Sequence, residues 1–134
     1  MTACVLDTDV VIAALDRADA HHRAAAKAIP TLLGDGAPLL LSLINYAETL
    51  VRPAEDEATL RSAVSAIQRL GVQLSAPTPA IARDAARLSA LNISLADGFA
   101  LATARAHQAT VASFDRRVRR ATRAAGLEVA TAFR

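Results

Sequence analysis

Asp7, Glu48, Asp97 and Asp115 each stand alone in an apolar stretch of a 134-residue chain. Asp7 ends the run Met1-Thr-Ala-Cys-Val-Leu6, and Glu48 is the only charge between Asp35 and Arg52. Asp97 is the only charge between Arg87 and Arg105, and Asp115 closes the uncharged stretch Ala109–Phe114. A carboxylate among buried residues is costly unless it is paired or bound to a metal. No Lys or Arg lies within four residues of Asp97 on either side, so local pairing is not available there. An all-oxygen donor set without Cys or His suits Mg²⁺ or Mn²⁺ better than Zn²⁺. A carboxylate-held Mg²⁺ close to basic residues is equipment for phosphodiester chemistry: it polarises the phosphate, activates water and stabilises the leaving oxygen.

Each acid also has a purely structural reading. Asp97 and Asp115 can be ordinary helix caps, worth about 1 kcal/mol each, and Asp7 can be a turn residue after a strand. Glu48 has no such alternative, because the pattern puts it mid-helix. The coincidence of four such positions, rather than any one, points to a metal site. Asp84 is left out because Arg83 and Arg87 flank it. The three histidines form no ligand set, since His21 and His22 are adjacent on a polar stretch and His107 has no companion.

The elements that must position these acids alternate between short apolar runs and longer helical patterns, the signature of an α/β fold with a mainly parallel sheet. Strands are expected at 4–6, 39–42, 72–74, 110–113 and 127–130. A short helix capped by Asp9 or Thr8 spans 10–15. A second runs from Asp19 to about Leu33, with Pro30 kinking it or ending it early. Ser42 caps a helix whose inward face carries Ile44, Ala47, Glu48 and Val51. An amphipathic helix covers 57–70 and stops at Gly71, and another opens at Pro77-Thr-Pro79 and reaches Leu91. Ser94-Leu-Ala-Asp97 reads as a capping box for a nearly all-apolar helix to about His107. Asp115 then starts an Arg-rich helix ending at Gly126. In open parallel sheets, sites form beyond the carboxyl ends of the strands, and all four acids fall at that end.

Length predicts one domain over 1–134, large enough for a core without disulfides or structural metal. Hydrophobic residues make up 53% and aromatic residues 3%, so the core is mainly Ala, Leu, Val and Ile. Cys4 is the only cysteine, which excludes an intramolecular disulfide and fits a small core residue in a reducing compartment. No stretch approaches a transmembrane helix, and the apolar start is too short for a signal peptide, so a soluble, cytoplasmic protein is expected. Net charge is only +2, but five of fourteen Arg lie between Arg116 and Arg123. Arg forks bind phosphate well, which makes Arg116, Arg117 and Arg120 candidates for phosphate contacts; a solvated face is the alternative, and composition alone does not establish nucleic-acid binding.

Val5-Leu-Asp-Thr-Asp-Val-Val-Ile12, Leu41-Ser-Leu-Ile-Asn-Tyr-Ala-Glu48, Leu95-Ala-Asp97 and Ala112-Ser-Phe-Asp115 together resemble the four acidic motifs of PIN-domain ribonucleases. The match is closest to VapC-type toxins of bacterial toxin–antitoxin pairs. The resemblance spans essentially the whole chain, and the ordered set is more specific than any single motif. It implies a three-layer α/β/α domain that cleaves RNA with Mg²⁺, Mn²⁺ being able to substitute. By that likeness Asp7 and Asp97 are the principal metal ligands, Asp115 supports a metal or its water, and Glu48 acts directly or through water. Ser113 matches a position where the family often has a small hydroxyl that orients such a group, and Thr8 can bond near Asp7. A VapB-like antitoxin and a homodimer are the implied partners. Asp9 departs from the pattern, standing where many relatives carry Asn or Ser; it either caps the first helix or adds a fifth negative charge.

Two rival readings remain at this level. Asp7-Thr-Asp9-Val-Val11 also satisfies the D-x-D-x-V opening of haloacid dehalogenase-like phosphatases, with Asp7 as nucleophile and Asp9 as general acid–base. Those enzymes need a downstream lysine, and the only lysine, Lys27, precedes the second strand. The other rival is a catalytically silent PIN-like binding module.

Overall fold

The computed structural model describes residues 2–134. Its strands are β1 (Cys4–Leu6), β2 (Leu39–Ser42), β3 (Gln73–Ser75) and β4 (Thr110–Ala112). Its helices are α1 (Thr8–Leu15), α2 (His22–Gly34), α3 (Leu43–Leu50), α4 (Glu57–Arg69), α5 (Pro79–Leu88), α6 (Leu95–His107) and α7 (Arg116–Ala124). The four strands form one all-parallel sheet in the order β3-β2-β1-β4. Cys4 lies opposite Leu39 on one side and Thr110 on the other, which puts β1 at the centre.

Alternation along these short strands divides the core into two layers. Cys4, Leu6, Leu39 and Leu41 face Val11, Ala28, Ile29 and Ile67, from α1, α2 and α4. Val5, Leu40 and Val111 face Ile81, Ala85, Leu101 and Val118, from α5, α6 and α7. A sheet covered by helices on both faces is the three-layer arrangement expected of buried parallel strands. Among the described residues, no helix is long and apolar enough to cross a membrane.

Several local expectations change. Neither Asp9 nor Thr8 caps α1: the helix starts at Thr8, and Asp7 is its cap, accepting from the Thr8 N–H at 2.9 Å. Asp19 instead accepts from the His21 N–H in the turn before α2, which begins at His22. Pro30 sits inside α2 without ending it. The Ala26 carbonyl that loses its helical donor lies on the exposed side, where water can serve it. Residues 127–130 form a single parallel bridge, Val111 to Val129, rather than a strand, and a 3-10 turn at Thr131–Phe133 follows. β3 lies one residue later than its hydrophobic pattern, and α5 stops at Leu88, with a 3-10 turn to Leu91.

The largest correction concerns α3. Its buried residues are Asn45 and Thr49, whereas Ala47 and Glu48 are exposed and Val51 is 66% exposed. Polar groups can turn inward because they are bonded there: Thr49 Oγ donates to the Asn45 carbonyl at 2.8 Å, and Asn45 Nδ2 has two acceptors. Ser42 caps the helix as expected, accepting from the Ile44 N–H at 3.2 Å.

Candidate functional site

Asp7 is the residue immediately after β1, and its N–H continues the ladder by donating to the Ala112 carbonyl at 2.9 Å. Its side chain is 3% exposed and is bonded at both oxygens. Oδ1 accepts from the Thr8 N–H, and Oδ2 accepts from Ser113 Oγ at 2.8 Å. Ser113 Oγ in turn accepts from the Asp115 N–H at 3.1 Å, so one buried hydroxyl links the first and last acidic positions. No cationic side chain pairs with Asp7 among the described residues. Burial, followed by the charges of Asp9 and Asp97, pushes its pKa up to about 8 despite the bonds from Ser113 and Thr8.

Asp9 belongs to the same cluster. Its Oδ2 accepts from the Phe114 N–H at 3.1 Å, tying α1 to the loop that carries Asp115. Its Oδ1 is buried with no partner. Burial raises its pKa to about 6; the Phe114 bond opposes this, and the charges of Asp115 and Asp97 add to it. The capping reading of Asp9 does not hold, since Asp7 is the cap of α1, and the Asp9 carboxylate instead lies near those of Asp97 and Asp115.

Asp97 lies in the first turn of α6, where the expected capping box is present. Its Oδ2 accepts from the Ser94 N–H at 3.1 Å, and Ser94 Oγ accepts from the Asp97 N–H at 3.1 Å. Asp115 caps α7 by accepting from the Arg117 N–H at 2.8 Å, and its other oxygen pairs with the Arg117 guanidinium at 3.5 Å. Capping and electrostatic coupling therefore coexist at both positions. Glu48 is exposed on α3 and is not among the charges that raise Asp7 or Asp9.

Asn45 escaped sequence reasoning although it is fully buried beside the cluster. Its Nδ2 donates to Thr8 Oγ1 at 3.0 Å and to the Ala96 carbonyl at 3.2 Å, joining α3 to the residues next to Asp7 and Asp97. Its Oδ1 is buried and unpartnered. The signal was a lone amide among Leu43, Ile44 and Tyr46, directly after the Ser42 cap. Thr8 thus donates its N–H to Asp7 while its Oγ1 accepts from Asn45. Arg117 is engaged with Asp115, whereas Arg116 and Arg120 line a shallow depression with Arg119 and Arg123.

The donors fit a hard divalent cation by chemistry: all are carboxylate oxygens, and one is buried without a partner. Among the described residues, three Asp, Glu, His or Cys side chains do not converge into a ready-made metal cage. A cation held jointly by these acids would require side-chain adjustment by Asp97 and Asp115, both half-exposed and both engaged at helix starts.

Residues 4–124 match the sequence description of the PIN domain. The chain belongs to the PIN domain family. Its fold recurs in solved structures of low sequence identity. One is VapBC2 from Rickettsia felis bound to a promoter DNA fragment, with 14% identity, TM-score 0.73, and coverage of 96% of this chain and 97% of that one. FitAcB from Neisseria gonorrhoeae has 21% identity and TM-score 0.69, with coverage of 97% and 98% respectively. The sarcin-ricin loop cleaving toxin VapC20 of Mycobacterium tuberculosis has 22% identity and TM-score 0.70, with coverage of 93% and 96%. No curated protein matches the chain. Membership of the PIN domain family sets aside the dehalogenase-like phosphatase reading.

Proposed function

We propose that this PIN domain is a divalent-metal-dependent endoribonuclease, the toxin of a type II toxin–antitoxin pair, acting in the cytoplasm as a single domain over 1–134. The observation that carries this reading is the environment of Asp7. A buried carboxylate, bonded by Ser113 and Thr8 and crowded by Asp9 and Asp97, has no cationic side chain to neutralise it. Asp7, Asp97 and Asp115 are the residues that would hold Mg²⁺ or Mn²⁺, and the free oxygen of Asp9 adds negative charge beside them. Bound there, the cation would supply Lewis-acid polarisation of a phosphodiester and an activated water.

The protein's own groups prepare that chemistry. Ser113 fixes the carboxylate plane of Asp7 and also the backbone that leads into Asp115. Asn45 steadies the Thr8 and Ala96 segments from beneath. Exposed Glu48 suits a role toward the solvent side, orienting water or accepting its proton, rather than one in the buried cluster. The likeness to proteins solved as VapBC and FitAB complexes supports a VapB-like antitoxin as partner; a homodimer is proposed from the family resemblance alone.

Incubation of the purified protein with total RNA, with Mg²⁺ or Mn²⁺ and with or without chelator, tests this. Metal-dependent cleavage that disappears in Asp7→Asn and Asp97→Asn is expected. Cleavage that persists in chelator, or in both variants, would defeat the mechanism, and absence of cleavage under all conditions would favour a silent binding module.

A further inference from the structure

We propose that the outer face of α7 is the seat of the RNA phosphate backbone, with Arg116, Arg120 and Arg123 contacting phosphates and Arg119 positioning the face. This rests on the ribonuclease reading and names the surface that would deliver its substrate. Arg116, Arg119, Arg120 and Arg123 are spaced i, i+3, i+4 and i+7, so they share one side of the helix. They line a depression of about 240 Å³. Val118, Ala121 and Thr122 occupy the opposite, buried side.

Like charges at i, i+4 destabilise a helix, and none of these four has a carboxylate partner among the described residues. Arg117, which does pair with Asp115 at 3.5 Å, lies off this face. Arg119 is half-buried and donates to the Ser113 carbonyl at 3.2 Å, so the face is fastened to the residue that holds Asp7. The stripe begins one residue after Asp115, and from Arg116 to Arg123 it extends about 10 Å at 1.5 Å per residue.

Placement favours a phosphate backbone over an acidic polypeptide. A cluster of Asp7, Asp9, Asp97 and Asp115 repels an approaching polyanion, so cationic charge has to flank it for RNA to dock. Guanidinium forks match phosphate oxygens. With one Tyr, three Phe and no Trp, the chain has few groups for holding bases by stacking, which leaves the backbone as the handle.

The test separates binding from cleavage. In an Asp97→Asn background with chelator, binding of a fluorescein-labelled single-stranded RNA is titrated at several salt concentrations. Arg116→Ala, Arg120→Ala and Arg123→Ala together should weaken binding about tenfold or more at low salt. They should also flatten the log-affinity against log-salt slope by about 2, as expected for three lost phosphate contacts at roughly 0.7 each. The three corresponding Lys replacements should restore most of the slope. Removal of Arg61, Arg83 and Arg87, exposed on α4 and α5, should change it much less. An unchanged slope in the triple Ala variant, or no RNA binding by the parent, overturns the proposal. Equal displacement by polyglutamate overturns it in favour of an acidic protein. If wild-type protein cleaves RNA while the triple Ala variant binds normally, this face fails and the nuclease reading stands. Arg-dependent binding by a wild-type protein that does not cleave supports the face and removes the nuclease reading.

Discussion

Ser113 Oγ donates to Asp7 Oδ2 at 2.8 Å across 106 residues of sequence, and the same oxygen accepts from the Asp115 N–H at 3.1 Å. One hydroxyl thus holds the end of β1 and the start of α7 in register. It also lowers the proton affinity of Asp7, working against burial. Ser113→Ala removes both bonds from a fully buried position. A bond to an ionised carboxylate is worth about 1.5–3 kcal/mol, so Mn²⁺ affinity measured by titration calorimetry should fall about tenfold or more. Undiminished Mn²⁺ affinity would mean that the hydroxyl has no part in presenting Asp7.

Acidity gives a second outcome, with a definite sign. The folded-state values of Asp7, about 8, and Asp9, about 6, both lie above the ordinary 3.8. The folded protein therefore binds these protons more tightly than the unfolded chain does. That contribution is complete below the ordinary value and is lost as pH rises through 6 and then 8. In chelator, urea unfolding should show stability declining between roughly pH 4 and pH 8, by at most about 1.4 kcal/mol per pH unit for each proton released on unfolding. Added Mn²⁺ should flatten the decline, because the metal takes over from the protons. Stability that rises across this window without metal would contradict the crowding of the carboxylates.

Asp97 sets repulsion against capping. Its charge helps raise both Asp7 and Asp9, yet its Oδ2 also accepts from the Ser94 N–H. Asparagine keeps an acceptor for Ser94 and removes the charge. Asp97→Asn should therefore raise the melting temperature at pH 9 in chelator by a few degrees and reduce the gain on adding Mn²⁺. Asp97→Ala, which also loses the cap, should melt below Asp97→Asn. An Asp97→Asn protein less stable than wild type at pH 9 would show that the carboxylate matters more as a cap than as a repelling charge.

Glu48 illustrates what the sequence could and could not disclose. Isolation in an apolar run singles it out, but the structure leaves it exposed and apart from the acidic cluster; the start of its helix at Ser42 was legible from capping chemistry. Its orientation was not, because α3 has only eight residues and two turns cannot establish an apolar stripe. Burial of Asn45 depends on acceptors contributed by α1 and by Ala96 of α6, which local periodicity does not register, and Thr49 is satisfied within α3 by the Asn45 carbonyl. The same limit explains 127–130: its apolar residues reach the core, but its pairing with β4 is confined to Val111, which bonds the Glu128 carbonyl and the Ala130 N–H on either side of Val129. The strands at 4–6 and 39–42 were legible because both faces of a central parallel strand are buried and read as continuous apolar runs. Glu48→Gln should accordingly leave the pH dependence of metal-free stability unchanged while lowering RNA cleavage at saturating Mn²⁺. A shift of that stability profile would place Glu48 inside the coupled cluster.

Gly98, the residue after Asp97, governs how closely α6 approaches α5. A Cβ there would lie 2.6 Å from the Ala85 carbonyl oxygen and 3.1 Å from Ser89 Oγ. The serine can rotate, although its hydroxyl already donates to that same carbonyl at 3.0 Å; the backbone oxygen cannot yield without moving α5. Gly98→Ala should thus lose stability despite the higher helix propensity of Ala, by about 1–3 kcal/mol as for other overpacked cores. Because displacement of α6 carries Asp97 with it, Mn²⁺ affinity should fall together with the melting temperature. Asp84→Ala offers the comparison, since it removes only the Arg105–Asp84 ion pair between the same two helices at 3.1 Å. That pair is only partly exposed, with side-chain exposures of 44% for Arg105 and 19% for Asp84, and is worth about 1 kcal/mol; because it lies away from the acidic cluster, Asp84→Ala should leave Mn²⁺ binding intact. A Gly98→Ala protein as stable as wild type would mean that the two helices can separate without strain, and that their close contact does not position the carboxylate.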